Sequence, residues 1–257
     1  MKLFRPLHTI PLAELDYAKT RDFLNGLTRT YTARSVNNVW GTLRTILNEA
    51  RREGLLTMVP EIQPPKSRKP IPAWFTLDQM KAIIAAGPPP FDAFYAVLAE
   101  TGARIGEMLP LRRTDVDFSQ RTIAFVHAIW NGRDQDQKND SSPRTLCIST
   151  QLTDKLRPLV QDLDPGSVIF HTSTGRAWTP GKVLENLHPL LRSLGIKTAG
   201  CHAFRHGNRT LMRMLEVPYE LAERRMGHAL SGIAGVYSHS LPYEDKGWAQ
   251  KIGDALF

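Results

Sequence analysis

The chain has 257 residues, and its 33 Lys and Arg against 25 Asp and Glu give a formal net charge of +8. This length is enough to bury a core in one large or two modest domains. Cys147 and Cys201 are the only cysteines and form no C-x-x-C pair, which argues against a disulfide scaffold and a thiolate zinc site. No segment approaches the roughly 18 uninterrupted apolar residues of a membrane span, so we expect a cytoplasmic protein without a membrane partner.

The positive charge is concentrated near the N-terminus. Residues 1–70 hold 12 basic and 6 acidic side chains, whereas residues 71–257 hold 21 and 19. A basic segment of this kind favours a polyanionic partner, most simply nucleic acid. Charge alone also leaves open a basic protein with no special partner.

Residues 11–56 predict two or three helices, because apolar residues recur at helical spacing from Val36 to Ala50. Arginine and amide side chains stand between those apolar positions, among them Arg34, Arg44 and Arg51. Such a helix suits a DNA backbone, and it equally suits a solvated surface.

A proline-rich stretch follows and predicts an interdomain linker. Five prolines prevent regular structure there, and three basic residues accompany them. The prolines are Pro60, Pro64, Pro65, Pro70 and Pro72, and the basic residues are Lys66, Arg68 and Lys69. We therefore predict a helical DNA-binding domain over residues 1–62, a basic linker over 63–73 and a second domain over 74–257.

The second domain is predicted to be mainly α with a small antiparallel β-sheet. Thr122 to Trp130 is the best strand, Asn131-Gly132 is a turn signal, and Arg144 to Ser149 is the return strand. Helices are predicted from Thr76 to near Gly87, and over 91–101, 150–162, 180–194, 203–215, 219–226 and 248–257.

Arg104 emerges just after Gly102 in the segment Thr101-Gly102-Ala103-Arg104-Ile105-Gly106-Glu107. A guanidinium makes two hydrogen bonds to a phosphate and stays charged. Glu107 has the spacing to brace Arg104 or a neighbouring imidazole. Taken alone, the pair also fits an ordinary surface Arg–Glu contact.

His202 and Arg205 are three residues apart and share a helix face in His202-Ala203-Phe204-Arg205-His206. A guanidinium disfavours protonation of an adjacent imidazole, which leaves it able to transfer a proton. His202 and His206 also have the spacing of a helical zinc pair, but Ala203 stands where the zincin motif has Glu, so we predict no metal.

His228 follows Gly227 at the predicted end of a helix, and Tyr237 follows nine residues later. A phenol attacks phosphorus at neutral pH only with cationic neighbours or a base. A loop histidine and a packed tyrosine are the alternatives at these two positions.

In this order and spacing, the motifs TGARIGE, HAFRH, MGH and Tyr237 resemble the tyrosine recombinases, or phage-type integrases, over about residues 11–245. The segment from Lys138 to Thr145 resembles the hairpin of that family, in which a lysine precedes a Ser-x-Arg run. This second match is looser, because Pro143 is unusual on a strand.

The resemblance implies a site-specific recombinase that cuts and rejoins double-stranded DNA through a 3′-phosphotyrosyl intermediate, without metal, ATP or other cofactor. Arg104 and Arg205 would hold the scissile phosphate, and Tyr237 would attack it. Lys138 would protonate the leaving 5′-oxygen, and His202 would act as acid and base. In addition, His228 would hydrogen-bond a phosphate oxygen and Glu107 would support the arginines.

The resemblance also implies a tetramer on DNA, with accessory DNA-bending proteins as possible partners. Relatives usually have a further helix before the equivalent of Pro11, so we expect a shortened homologue or a fragment. Tyr243 and Tyr219 are rival nucleophiles. The C-terminal helix would dock in trans or pack in cis. A type IB topoisomerase-like enzyme, a non-catalytic DNA-binding relative and a metal-dependent hydrolase are the alternative functions.

Overall fold

The computed structural model describes residues 2–67, 71–130, 133–135, 143–228 and 242–257. The protein is mainly α-helical with a small antiparallel sheet, as predicted from the sequence. It divides into two compact units, Met1–Ile71 and Pro72–Phe257. Each unit has its own hydrophobic core.

The N-terminal unit is built on helices α1 (Tyr17–Thr28) and α2 (Ala33–Arg52), which follow two short 3₁₀ helices, Lys2–Leu7 and Leu12–Glu14. The side chains of Asp16 and Thr32 cap the two α-helices by accepting backbone N–H groups of their first turns. Four of the apolar residues predicted to share one face of α2, Val36, Trp40, Leu43 and Leu47, form the core together with Leu24, whereas Ile46 from the same stretch is 51% exposed. The predicted helices are therefore confirmed.

The segment after α2 has neither helix nor strand from residue 56 to residue 67. Part of it is attached to α2, because the Asn37 amide donates to the Pro65 carbonyl oxygen (3.1 Å) and to Ser67 Oγ (3.3 Å). The bounds proposed for the first domain and its linker stay predictions.

The C-terminal unit has eight α-helices in the part of the chain described. They are α3 (Leu77–Ala86), α4 (Phe91–Thr101), α5 (Ile105–Met108), α6 (Thr150–Val160), α7 (Pro180–Ser193), α8 (His202–Met214), α9 (Tyr219–Arg225) and α10 (Pro242–Leu256). Every residue of α4 from Ala93 to Thr101 is buried, as expected of a helix surrounded by others. Helix α4 packs against α3, α6, α8 and α10 and forms the centre of this unit.

Five short strands complete the unit: β1 (Val116–Asp117), β2 (Thr122–Phe125), β3 (Ala128–Trp130), β4 (Arg133–Gln135) and β5 (Arg144–Cys147). Strands β1, β2 and β5 form one antiparallel sheet in that order, and β3 pairs with β4.

The prediction of one continuous strand over residues 122–130 is wrong. Strand β2 ends at Phe125, opposite Arg144, and β3 begins at Ala128. Pro143 precedes Arg144 and lacks the N–H that would continue the ladder. The predicted Asn131-Gly132 turn lies outside the described residues.

The C-terminal helix α10 begins at Pro242, six residues before the predicted start. It packs in cis, because Ile252 and Leu256 are buried in the core of the same unit and Gly253 lies against Ser149. No helix among the described residues is long and apolar enough to cross a membrane. Both cysteines are buried.

Candidate active site

A tight turn at the end of α4 carries Arg104. Gly102 has a φ of +64°, a conformation that favours glycine. A Cβ at Gly102 would also lie 2.8 Å from Asn208 Oδ1, so no larger residue fits. The turn predicted at this glycine is confirmed.

Helix α8 holds this turn in place. The Asn208 amide donates to the carbonyl oxygens of Ala99 (2.7 Å) and Glu100 (3.0 Å) at the end of α4, where the last carbonyls of a helix lack partners within it. One turn earlier on α8, Arg205 Nη1 donates to the Gly102 carbonyl oxygen at 2.8 Å. The segments TGARIGE and HAFRH are therefore joined by a direct hydrogen bond.

Glu107 lies between two guanidinium groups. Its carboxylate accepts from the Arg104 backbone N–H (2.8 Å) and from Arg104 Nη1 (3.1 Å). The same carboxylate accepts hydrogen bonds from both Nη groups of Arg144, at 3.0 and 2.9 Å. Burial alone would raise the pKa of Glu107, but the hydrogen bonds and charge of Arg144, followed by those of Arg104, lower it below the usual range. Glu107 thus braces Arg104 as expected, and its second partner is an arginine rather than an imidazole.

Arg144 is a site residue that sequence reasoning did not single out. Its side chain is 8% exposed, against 36% for Arg104, so its charge is largely enclosed. Arg144 Nε donates to the Arg225 carbonyl oxygen (3.1 Å), which fixes the end of α9 to β5. Gly227 has a φ of +65°, and a Cβ there would lie 2.8 Å from Arg144 Nη1. The available signal was its place in the Ser-x-Arg run.

Arg205 is buried and donates to uncharged groups. Besides the Gly102 carbonyl, it donates to the Met226 carbonyl oxygen and, from Nη2, to His228 Nε2 at 2.9 Å. Burial, followed by the nearby charge of Arg104, lowers the pKa of Arg205 to about 10. Two cationic side chains therefore stand close together, and no described carboxylate hydrogen-bonds to Arg205.

His228 contacts Arg205 on one side and Glu223 on the other. Its Nδ1 lies 2.7 Å from Glu223 Oε2, and Glu223 Oε1 accepts from Arg209 Nη2 at 2.7 Å. The helix end predicted at Gly227 is confirmed. Glu223 was not predicted, because its contact with His228 depends on the sharp turn after α9.

His202 lies on the first turn of α8 and is partly exposed to solvent. Partial burial lowers its pKa, and His206, Arg205 and Arg104 lower it further. The neutral imidazole expected from the sequence is therefore favoured. No cluster of three His, Cys, Asp or Glu among the described residues has the geometry of a metal site.

Lys138 and Tyr237 lie outside the described residues, as do Arg68 and Lys69. The side chain of Tyr243 is also outside them. Tyr219, the other rival nucleophile, is 70% exposed on the first turn of α9. The arrangement of the phenol and the lysine around the arginines stays a prediction.

The predicted DNA-binding residues that can be described are all exposed. Arg44 and Arg51 share one face of α2 and, with Asn48, line a cavity of about 400 Å³ against residues 59–63. Arg34 and Lys66 lie outside that lining. None of these four side chains forms an ion pair with a described residue, so the basic face of this unit is open to an anion.

Relatives of this chain are integrases and recombinases. An integrase of Staphylococcus phage L54a is 28% identical over 180 residues, which cover 63% of this chain and 51% of that protein. A XerC-like tyrosine recombinase of Caldanaerobacter subterraneus is 27% identical over 190 residues, covering 63% of this chain and 49% of that protein. The chain thus spans about half the length of these curated relatives.

Solved structures share the fold across nearly the whole chain. The Tn1549 transposon integrase, in complex with a circular intermediate DNA, aligns with a TM-score of 0.73 and 16% identity over 98% of this chain and 91% of that one. A lambda integrase dimer bound to a COC′ core site aligns with a TM-score of 0.68 and 17% identity over 93% and 88% of the two chains. The model of the phage integrase family matches residues 73–244, about two thirds of the sequence. The chain therefore belongs to the phage integrase family.

Proposed function

We propose that this chain is a site-specific DNA recombinase that breaks and rejoins strands through a 3′-phosphotyrosyl intermediate. The Tyr237 oxygen attacks phosphorus, the bond from phosphorus to the 5′-oxygen breaks, and Lys138 gives its proton to the departing 5′-oxygen, which leaves as a hydroxyl. His202 accepts the phenolic proton. One phosphoester replaces another, so strand exchange needs neither ATP nor a reductant.

The observation that carries this proposal is the buried charge of Arg205. Its described hydrogen-bond partners are two carbonyl oxygens and an imidazole, and Arg104 stands close enough to lower its pKa. A phosphate between the two guanidiniums would supply the missing negative charge. Such fixed cations oppose the charge that develops on the non-bridging oxygens during phosphoryl transfer.

The other side chains suit supporting roles. The lowered pKa of His202 keeps its imidazole neutral, which is the state of a proton acceptor. Glu107 fixes Arg104 by accepting from both its backbone and its side chain. Arg205 has five N–H donors and uses three on described partners, which leaves two for a phosphate.

We assign duplex binding to the basic N-terminal unit and the linker. Arg34, Arg44, Arg51 and Lys66 are exposed, and Arg68 and Lys69 continue the basic run. Contacts to DNA phosphates release counterions, so the affinity should fall steeply with salt. A binding constant that is flat between low and high salt would count against DNA as the partner.

We also propose assembly of a tetramer on DNA, assisted by DNA-bending proteins, and action on DNA in the cytoplasm. These three proposals rest on the family resemblance. Because α10 packs on its own unit here, docking in trans would require its release. Light scattering with and without target DNA tests the stoichiometry.

A nicked suicide duplex tests the proposed reaction. Loss of the short fragment beside the nick prevents religation, so a recombinase accumulates as a covalent adduct on the 3′ side of the cut. We expect an adduct with the wild-type chain in the presence of EDTA, and none with Tyr237→Phe. Binding without an adduct would identify a non-catalytic relative, and loss of cleavage in EDTA would indicate a metal-dependent hydrolase.

A further inference from the structure

Four charged or titratable side chains form a continuous hydrogen-bonded series beside the arginines. Arg209 donates to Glu223, Glu223 contacts His228 Nδ1, and Arg205 contacts His228 Nε2, at 2.7, 2.7 and 2.9 Å. Glu223 is 8% exposed, and its carboxylate is the only described one bonded to His228. The series connects helix α9 to helix α8 through the imidazole.

The two neighbours of the ring determine which nitrogen carries its proton. A carboxylate only accepts, so His228 Nδ1 must donate to Glu223. A guanidinium only donates, so His228 Nε2 must accept from Arg205. Both contacts are satisfied together only by the neutral ring with hydrogen on Nδ1.

This state affects Arg205 directly. A hydrogen on Nε2 would point at an N–H of Arg205, and two donors would then oppose each other across 2.9 Å. The Arg205 guanidinium would have to move, although it also holds the Gly102 carbonyl that anchors the turn of Arg104. Control of one imidazole proton thereby influences the position of both arginines.

We propose that Glu223 is a positioning residue that, with Arg209, locks His228 in its Nδ1-H form and so fixes Arg205 for the phosphate. The catalytic half of this inference rests on the proposed recombinase function. The assignment of the His228 ring proton to Nδ1 does not depend on that function. Glu223 acts through His228 and is not assigned a contact with DNA.

Glu223→Gln tests the inference because it keeps the shape of the side chain while adding a donor. The glutamine amide can donate to Nδ1, which moves the ring proton to Nε2. Glu220→Gln is the matched control, since Glu220 is exposed on the same helix α9. Chains labelled with ¹⁵N-histidine report the protonated nitrogen at about pH 8, where an unperturbed imidazole is neutral, and a His228→Gln variant identifies the signals of His228.

We expect hydrogen on Nδ1 of His228 in the wild type and in Glu220→Gln, and hydrogen wholly or partly on Nε2 in Glu223→Gln. Adduct formation on the suicide duplex should fall about 10- to 100-fold in Glu223→Gln, the range found for outer carboxylates that orient metal-binding histidines. It should be unchanged in Glu220→Gln. Thermal unfolding shows whether the variants are folded, and a merely structural role would not move the ring proton.

An Nε2-H or doubly protonated His228 in the wild type would overturn the inference. An unchanged position of the His228 ring proton in Glu223→Gln, or an unchanged cleavage rate in that variant, would also overturn it. If the wild type forms no adduct, the proposed recombinase function fails, and the nitrogen signals still decide the state of His228.

Discussion

Arg205 Nη1 donates to the carbonyl oxygen of Gly102 at 2.8 Å, across 103 residues of sequence. Through this bond the buried Arg205 stabilises the turn that carries the partly exposed Arg104. The two arginines therefore differ in their contribution to the fold. Arg205 hydrogen-bonds backbone carbonyl groups of two other segments, whereas Arg104 is held mainly by Glu107.

Substitution of either arginine should impair activity, but only substitution of Arg205 should also lower stability appreciably. Arg104→Ala should slow adduct formation by about 10²–10³-fold, as for one lost oxyanion contact. It should change the free energy of unfolding by about 1 kcal/mol or less, because its ion pair is part-exposed. Arg205→Ala should abolish adduct formation and also unfold at lower denaturant, because two backbone carbonyls lose their donor. Urea unfolding beside the cleavage assay checks this. Equal stability of the two variants would contradict the distinction.

Glu107→Gln should destabilise the chain at neutral pH, by about 3–5 kcal/mol if Arg144 is left as an unpaired buried charge. The lowered pKa of Glu107 means that its ionised form stabilises the fold above the ordinary value of 4.5, and that this stabilisation is lost as the pH falls through the folded pKa. The difference between wild type and variant should therefore shrink below about pH 4.5. Glu185→Gln, on the exposed face of α7, is the control. A difference that is constant with pH would rule out an ionic role for Glu107.

Glu100 should show the opposite pH dependence. It is fully buried, and although Ser149 donates to both its oxygens at 2.6 and 2.7 Å, burial raises its pKa to about 7. A raised carboxyl pKa costs stability as the pH rises from 4.5 to about 7, and the cost is then constant. The wild type should lose up to roughly 3 kcal/mol relative to Glu100→Gln across that window. If the difference in unfolding free energy between the wild type and Glu100→Gln is the same at pH 4.5 and pH 7.5, Glu100 does not titrate in that range.

Gly207→Ala should destabilise the C-terminal unit through a steric clash. An added Cβ would lie 2.4 Å from the Phe75 carbonyl oxygen, so α8 and the chain before α3 must separate. Gly247→Ala is the control, because Gly247 is also helical and has nothing within 4 Å of an added Cβ. Gly207→Ala should lower the unfolding temperature, whereas Gly247→Ala should raise it slightly through helix propensity. Similar shifts in both variants would refute the close approach at Gly207.

Local spacing was enough to predict the parts of the site that depend on one turn of chain. The glycine before Arg104, the brace from Glu107, the shared face of His202 and Arg205, and the helix end at Gly227 all follow from residues within five positions. Their order along the chain then indicated the family.

Long-range partners could not be predicted, because they depend on how helices and strands pack. Arg144 meets Glu107 across 37 residues, and Asn208 meets the end of α4 across more than 100. Glu223 is close to His228 in sequence, but its contact requires the left-handed turn at Gly227. The end of β2 was the avoidable error, since Pro143 already marks where pairing stops.

The most direct measurement is to locate the residue that becomes attached to DNA. The adduct formed on a suicide duplex is digested with protease and nuclease, and mass spectrometry then identifies the nucleotide-linked peptide. We expect the link on Tyr237, lost in Tyr237→Phe and retained in Tyr219→Phe and Tyr243→Phe. A link to either of those tyrosines, or to any residue other than Tyr237, would contradict it.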